Sequence, residues 1–116
     1  MNEINPDNFT EKSIEAINGA SEIAKKRRNT EITQTHLLAS LVSQDSGIVG
    51  AVIDKLGSDK RSALELAIRR ELDALPKVDG SNASPYISTG LSSTIEAAQS
   101  IAKQMRDEFV STEHLF

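Results

Sequence analysis

His36 and His114 are the only imidazoles in the chain, and each follows a hydroxyl residue by three positions, Thr33 and Ser111. An imidazole can act as a general base or a metal ligand. A hydroxyl three residues earlier points instead to a helix start, where the dipole disfavours the imidazolium form. Both histidines are therefore expected to be neutral packing and hydrogen-bonding groups. A metal site needs further ligands at fixed spacing. The absence of Cys removes thiolate ligands, disulfides and a thiol nucleophile. Serines and threonines are numerous, yet no Gly-x-Ser-x-Gly elbow and no Gly-x-x-x-x-Gly-Lys-Ser/Thr phosphate loop occurs. We expect no catalytic centre, metal or cofactor in these residues.

The run Lys25-Lys26-Arg27-Arg28 is the one concentrated charge. It suggests a small helical nucleic-acid-binding module, a reading that salt-dependent binding in a gel shift would support. Against it stands a net charge of −4 (13 Lys and Arg, 17 Asp and Glu), where nucleic-acid binders carry a basic field. The same run also suits the last turns of a helix, where cations meet the negative end of the dipole. The expectation is a solvated helix end, with neither nucleic acid nor membrane as partner. No apolar run approaches the roughly 18 residues of a membrane span, and the acidic-polar N-terminus lacks the apolar core of a signal peptide.

The elements that position these groups follow from periodicity. Ile14, Ala16, Ile17, Ala20, Ile23 and Ala24 recur at spacings of three and four, which predicts a helix over 9–28 capped by Thr10 and stopped by Asn29. A second helix begins at Thr33 with Leu37, Leu38, Leu41 and Val42 inward. Gly47 interrupts it, and Ile48, Val49, Val52, Ile53 and Leu56 form a third helix that Gly57 stops. A fourth, capped by Ser58 or Asp59, buries Ala63, Leu64, Ala67, Ile68, Leu72 and Leu75. Its outer face carries pairs such as Glu65–Arg69. Residues 76–86 hold two Pro, one Gly and small polar residues and read as a linker. A fifth helix over 88–106 turns Leu91, Ile95, Ala98, Ile101, Ala102 and Met105 inward, and Ser111 caps a sixth. No alternating run is long enough for a strand, so the fold class is all-α.

A shift of 78 residues lays 9–38 on 87–116 with eight identities in 30 positions: Ile17/Ile95, Ala20/Ala98, Ile23/Ile101, Ala24/Ala102, Lys25/Lys103, Arg28/Arg106, His36/His114 and Leu37/Leu115. Chance gives about two. The matches fall on the inferred core face, so the chain reads as a tandem repeat. Residues 1–75 form the first helical repeat, 76–86 the linker and 87–116 the start of the second. Measured by the first copy, the second stops roughly 30 residues short. The chain is therefore expected to be part of a longer protein, its second repeat truncated.

Phe9-Thr10-Glu11-Lys12, the Ala-rich helix and Ile32-Thr33-x-x-His36-Leu37-Leu38 resemble the opening of a Clp N-terminal domain, as does Asp107-Glu108-Phe109-Val110-Ser111-Thr112-Glu113-His114-Leu115. The joint Leu75-Pro76-Lys77-Val78-Asp79-Gly80 looks most like the ClpB branch. The resemblance implies two pseudo-twofold related bundles of four helices. It also implies a cytoplasmic parent: a homohexameric AAA+ disaggregase that uses ATP and Mg and works with a DnaK-type chaperone system. The chain itself would be no enzyme. It would recognise unfolded or aggregated protein, or, in a ClpA- or ClpC-like parent, dock adaptors. By resemblance Thr10, Asp107 and Glu113 match polar residues that engage client chains. Locally they read as a helix cap, a loop carboxylate and a first-turn acid. Leu91, Ile95, Ile101 and Leu115 are candidates for an adjoining apolar groove, and core packing explains them equally well.

Overall fold

Thr10 opens α1 (Glu11–Lys26): its hydroxyl accepts the amide of Ser13 at 3.2 Å, which satisfies one of the first-turn N–H groups. The computed structural model describes residues 9–44, 47–77, 85–105 and 109–116, with Thr112 and Glu113 described by their backbone alone. After α1 come β1 (Glu31–Ile32), α2 (Gln34–Ser43), α3 (Ile48–Leu56), α4 (Ser58–Ala74), β2 (Tyr86–Ile87), α5 (Thr89–Gln104) and α6 (Thr112–Leu115).

The end of α1 is a reversal built on Arg28. The amide of Asn29 returns to the carbonyl of Ala24 at 2.9 Å, and that of Arg28 to Lys25 at 3.1 Å. This pattern needs a left-handed residue, and Arg28 supplies it with φ 58°. Between α3 and α4 the turn falls to Gly57, at φ 112°. Gly57, rather than Ser58 or Asp59, is the residue at the head of α4, where no side chain caps. Its missing Cβ matters twice, since that conformation is strained for other residues and a Cβ would meet Asp59 Oδ1 at 2.9 Å.

α1 and α2 pack closely where Gly19 faces Ser40. The Ser40 hydroxyl donates to the carbonyl of Ala16 at 2.7 Å, so the contact is hydrogen-bonded as well as small. Ala16, Ala20 and Ala24 are fully buried along this face, with Leu37, Leu41 and Val42 opposite. Arg61 then ties three helices together. It donates to Val42 O at 2.9 Å and Gly50 O at 3.3 Å, and it pairs with Asp54 at 2.7 Å and Glu65 at 3.0 Å. Glu65 therefore pairs with Arg61 and not with Arg69, because Arg61 is already held inward by the two carbonyls.

Two-residue strands complete the frame. β1 and β2 pair in parallel, Glu31 with Tyr86 and Ile32 with Ile87, and Phe9 forms an isolated parallel bridge with Val110. Subtracting or adding 78 turns the Ile32–Ile87 pair into the Val110–Phe9 pair. Segments of two residues carry no alternation, which is why periodicity does not reveal them, and Tyr86 falls in β2 rather than in the linker.

Several positions expected inside lie outside. Ile48, Val52 and Leu56 are about half exposed or more along α3, and only Val49 and Ile53 of its apolar residues are buried. Ala63 and Ala67 are exposed on α4, where Ile68 and Leu72 are buried. On α5 the buried residues are Leu91, Ile95, Ala98 and Ala102, one clean stripe. Ile101 and Met105 sit to one side of it and are exposed.

Candidate functional site

The amide of Thr10 donates to the carbonyl of Val110 at 3.0 Å, joining the start of α1 to the segment between α5 and α6. Ser13, wholly buried one turn into α1, donates from its hydroxyl to the same carbonyl at 2.9 Å. The Thr10 hydroxyl in turn donates to Ser13 Oγ at 3.0 Å while accepting the Ser13 amide. Phe9 and Val110 are core residues on either side of this junction, and Phe109, next in sequence, is 44% exposed. The junction is thus a hydrogen-bonded seam with one aromatic ring turned outward.

The same construction occurs 78 residues away with the roles exchanged. Ser88 caps α5 by accepting the Leu91 amide at 3.0 Å, and its own amide donates to Ile32 O at 3.0 Å.

Both histidines occupy the third position of their helices. His36 Nδ1 accepts the Thr33 amide at 2.8 Å, and His114 Nδ1 accepts the Ser111 amide at 2.8 Å. An imidazole here does what Glu or Gln does in the usual capping box. A ring nitrogen that accepts an amide proton carries none of its own, so the His36 proton sits on Nε2, which donates to Asn29 Oδ1 at 2.8 Å. Asn29 Nδ2 passes the chain on to Pro76 O at 3.2 Å. Burial, and then the nearby Arg27 guanidinium, hold His36 below the ordinary imidazole range. His36 is fully enclosed, so the ring is a structural tie between α1, α2 and the chain leaving α4.

The basic run does not form one open cationic face. Lys25 lies 3.8 Å from Glu22, and Arg27 turns to α4 and pairs with Asp73 at 2.6 Å. The Arg27 hydrogen bond pulls the Asp73 carboxyl below the usual carboxylate range. The expectation of a wholly solvated run is corrected at Arg27, which is partly covered because it bridges two helices. Among the described residues no group of three or more His, Asp or Glu is placed to hold a metal ion, and no single helix is long and apolar enough to cross a membrane.

Of the residues that the resemblance singles out, Thr10 lies at the junction. Asp107 lies outside the described residues, and Glu113 falls in α6, with its side chain outside the description. Of the four groove candidates, Leu91, Ile95 and Leu115 are at most 4% exposed and belong to the core, while Ile101 is 42% exposed. Burying each of the three leucine or isoleucine side chains stabilises the fold by about 1.5–3 kcal/mol, and that is where the chain uses them. Ser13 and Phe109 went unremarked in the sequence as site residues. The Thr-x-x-Ser spacing at the helix start was a usable signal for Ser13; the outward turn of Phe109 had none.

The sequence profile of the Clp repeat (R) N-terminal domain matches residues 8–116. Chaperone protein ClpB of Nitratidesulfovibrio vulgaris is 39% identical over 111 residues, covering 93% of this chain and 13% of that protein. Chaperone protein ClpB 2 of Nostoc sp. is 33% identical over 115 residues, covering 99% of this chain and again 13% of the relative. The chain thus spans only a small part of these relatives. Among solved structures, the N-terminal domain of ClpV1 ATPase from E. coli superposes with a TM-score of 0.82 at 23% identity, covering 94% of this chain and 65% of that one. The Hsp104 N-terminal domain from Candida albicans gives 0.76 at 24% identity, with 93% and 70% covered. These two likenesses establish the helical fold.

Proposed function

This chain belongs to the Clp repeat (R) N-terminal domain family, and on that premise we propose that it recognises unfolded or aggregated protein for a ClpB-type disaggregase. The observation that carries the reading is the Thr10–Val110 hydrogen bond, which sets the head of α1 beside the outward-facing Phe109. A half-exposed aromatic next to a polar seam suits an extended client: the ring takes an apolar side chain, and polar groups meet the client backbone whatever its sequence. Asp107 and Glu113, close in sequence on either side of Phe109 and Val110, would supply further acceptors. Such contacts are few and shallow, which favours weak and broad binding. Force and turnover would come from ATP- and Mg-dependent modules elsewhere in a longer protein.

The test is an NMR titration of the 116-residue chain with carboxymethylated, permanently unfolded α-lactalbumin. The signals of Thr10, Phe109 and Val110 should move, and Phe109→Ser should weaken binding. A double change, Asp107→Ala with Glu113→Ala, should weaken it too. Thr10 needs a variant that keeps its cap, so Thr10→Asn is the appropriate substitution. Unchanged affinity in all of these, or movement confined to other faces, would overturn the reading.

A further inference from the structure

The C-terminal ends of α1 and α4 meet in a corner away from the Thr10–Val110 seam. Arg27, at the end of α1, pairs with Asp73 of α4 at 2.6 Å. Just beyond, Asn29 forms an isolated antiparallel bridge with Lys77, and its side-chain amide donates to Pro76 O at 3.2 Å. The chain leaving α1 is thus laid along the chain leaving α4. The 16 residues of α1 separate this corner from Thr10, about 24 Å at the usual helical rise.

The corner concentrates one sign of charge. Residues 25–31 and 69–77 hold seven Lys and Arg against three Asp and Glu, an excess of +4. The rest of the chain holds six against fourteen, an excess of −8. Two helix C-termini need only about one positive charge between them, so the cations exceed what the helix ends use. The acids at hand are already engaged. Glu22 lies 3.8 Å from Lys25. Asp73 serves three cations: its hydrogen bond from Arg27 first, and then the fields of Arg27, Lys77 and Arg69, hold its carboxyl below the usual carboxylate range. Lys26, Arg28 and Lys77 are exposed, and Arg28 stands at the reversal between α1 and the bridge.

Positive potential on an otherwise acidic molecule selects a partner by charge complementarity. A long polyanion would run off the corner onto surface of the opposite net sign, where repulsion acts within about 8 Å at physiological salt. A short anionic segment meets the corner alone. A guanidinium holds a carboxylate with two parallel N–H groups, and the two ammonium groups act as point charges.

We propose that this corner docks a short acidic segment of another polypeptide, with its carboxylates on Lys26, Arg28 and Lys77. Arg27 and Arg69 add positive potential, although both share it with Asp73. The domain would be anchored by this end while the Thr10–Val110 end stays free. The proposal does not rest on the client-binding reading.

The probe is the peptide acetyl-Gly-Asp-Glu-Glu-Asp-Gly-amide, with acetyl-Gly-Asn-Gln-Gln-Asn-Gly-amide as its uncharged counterpart. Each is titrated into the 116-residue chain while the backbone amide signals of Lys26, Arg28, Asn29 and Lys77 are followed by NMR. The acidic peptide should shift these signals saturably in about 10 mM salt and more weakly in about 150 mM salt. The uncharged peptide should leave them in place. A triple variant, Lys26→Gln with Arg28→Gln and Lys77→Gln, should lose at least about tenfold in affinity. Each single substitution should cost about twofold or more, and unshifted signals elsewhere check that the variants fold. Removing the same charge in Lys55→Gln with Lys60→Gln and Lys103→Gln should leave binding nearly unchanged. Equal weakening by the two triple variants would overturn the proposal, as would no shift up to about 10 mM peptide. Tighter binding of an oligothymidylate of about ten nucleotides would assign the corner to nucleic acid and overturn it too. So would concentration-dependent shifts of the same signals without peptide, which would assign it to a second copy of the chain. None of these results bears on Thr10, Phe109 and Val110, so the two proposals fail separately.

Discussion

Ser13 donates its hydroxyl to the carbonyl of Val110 at 2.9 Å, from one end of the chain to the other, and both residues are buried. The bond matters because the same carbonyl also takes the Thr10 amide, so a single acceptor anchors α1 against the segment that carries Phe109. Ser13→Ala removes one of the two bonds without opening a cavity. It should cost about 1 kcal/mol, measured by denaturant unfolding. Thr10→Ala should cost about as much through the lost cap, whereas Thr10→Asn should be nearly neutral. A full loss of stability at Ser13→Ala would show that the seam, rather than the core, holds the two halves together.

His36 makes stability depend on pH. Its folded pKa lies below the ordinary value of 6.5, so at pH below 6.5 the unfolded chain binds more protons than the native one. Stability is therefore fully present above pH 6.5 and is lost as the pH falls through that value toward the lower folded pKa. Protonation also forces a proton onto Nδ1, which faces the Thr33 amide. His36→Gln retains a side-chain acceptor and cannot titrate. Its denaturation midpoint should start lower at neutral pH and fall less between about pH 7.5 and about pH 5.5. A wild-type profile as flat as that of the variant would contradict the buried neutral imidazole.

Arg28 carries a left-handed backbone at the end of α1. For a residue with a Cβ this costs about 1–2 kcal/mol. Glycine removes that cost but adds about 0.5–1 kcal/mol of chain entropy in the unfolded state. Arg28→Gly should thus stabilise the chain by up to about 1.5 kcal/mol, while Arg28→Ala, which keeps the strain, should not. Thermal unfolding of the two variants side by side distinguishes conformation from charge.

Gly19 faces the Ser40 hydroxyl closely enough that a Cβ cannot enter without moving it. Gly19→Ala should destabilise by about 1–3 kcal/mol, the usual cost of overpacking. In a Ser40→Ala background the same change meets only a methyl at ordinary contact distance, and alanine's better helix propensity then works in its favour. A double-mutant cycle should therefore show strong favourable coupling between the two positions. Additive effects would mean that the helices slide apart instead.

The helices, their order and most of their caps were legible in the sequence, since spacing at three and four, Thr10, Thr33 and the glycines act locally. The shift of 78 residues also paired His36 with His114, because identical local chemistry leaves identical letters. What the letters could not decide was which way each residue of a wide apolar stripe faces. Ile101 and Ala102 are adjacent in sequence, yet the first is exposed and the second buried, because only the tertiary contact picks one edge of the helix. The pairing of Phe9 with Val110 and of Ile32 with Ile87 was hidden as well. Two-residue strands form only after distant segments are brought together, and nothing local encodes their partner. The same holds for Arg27 and Asp73: each is an ordinary surface charge until α1 and α4 are packed side by side, and the packing alone makes them a pair.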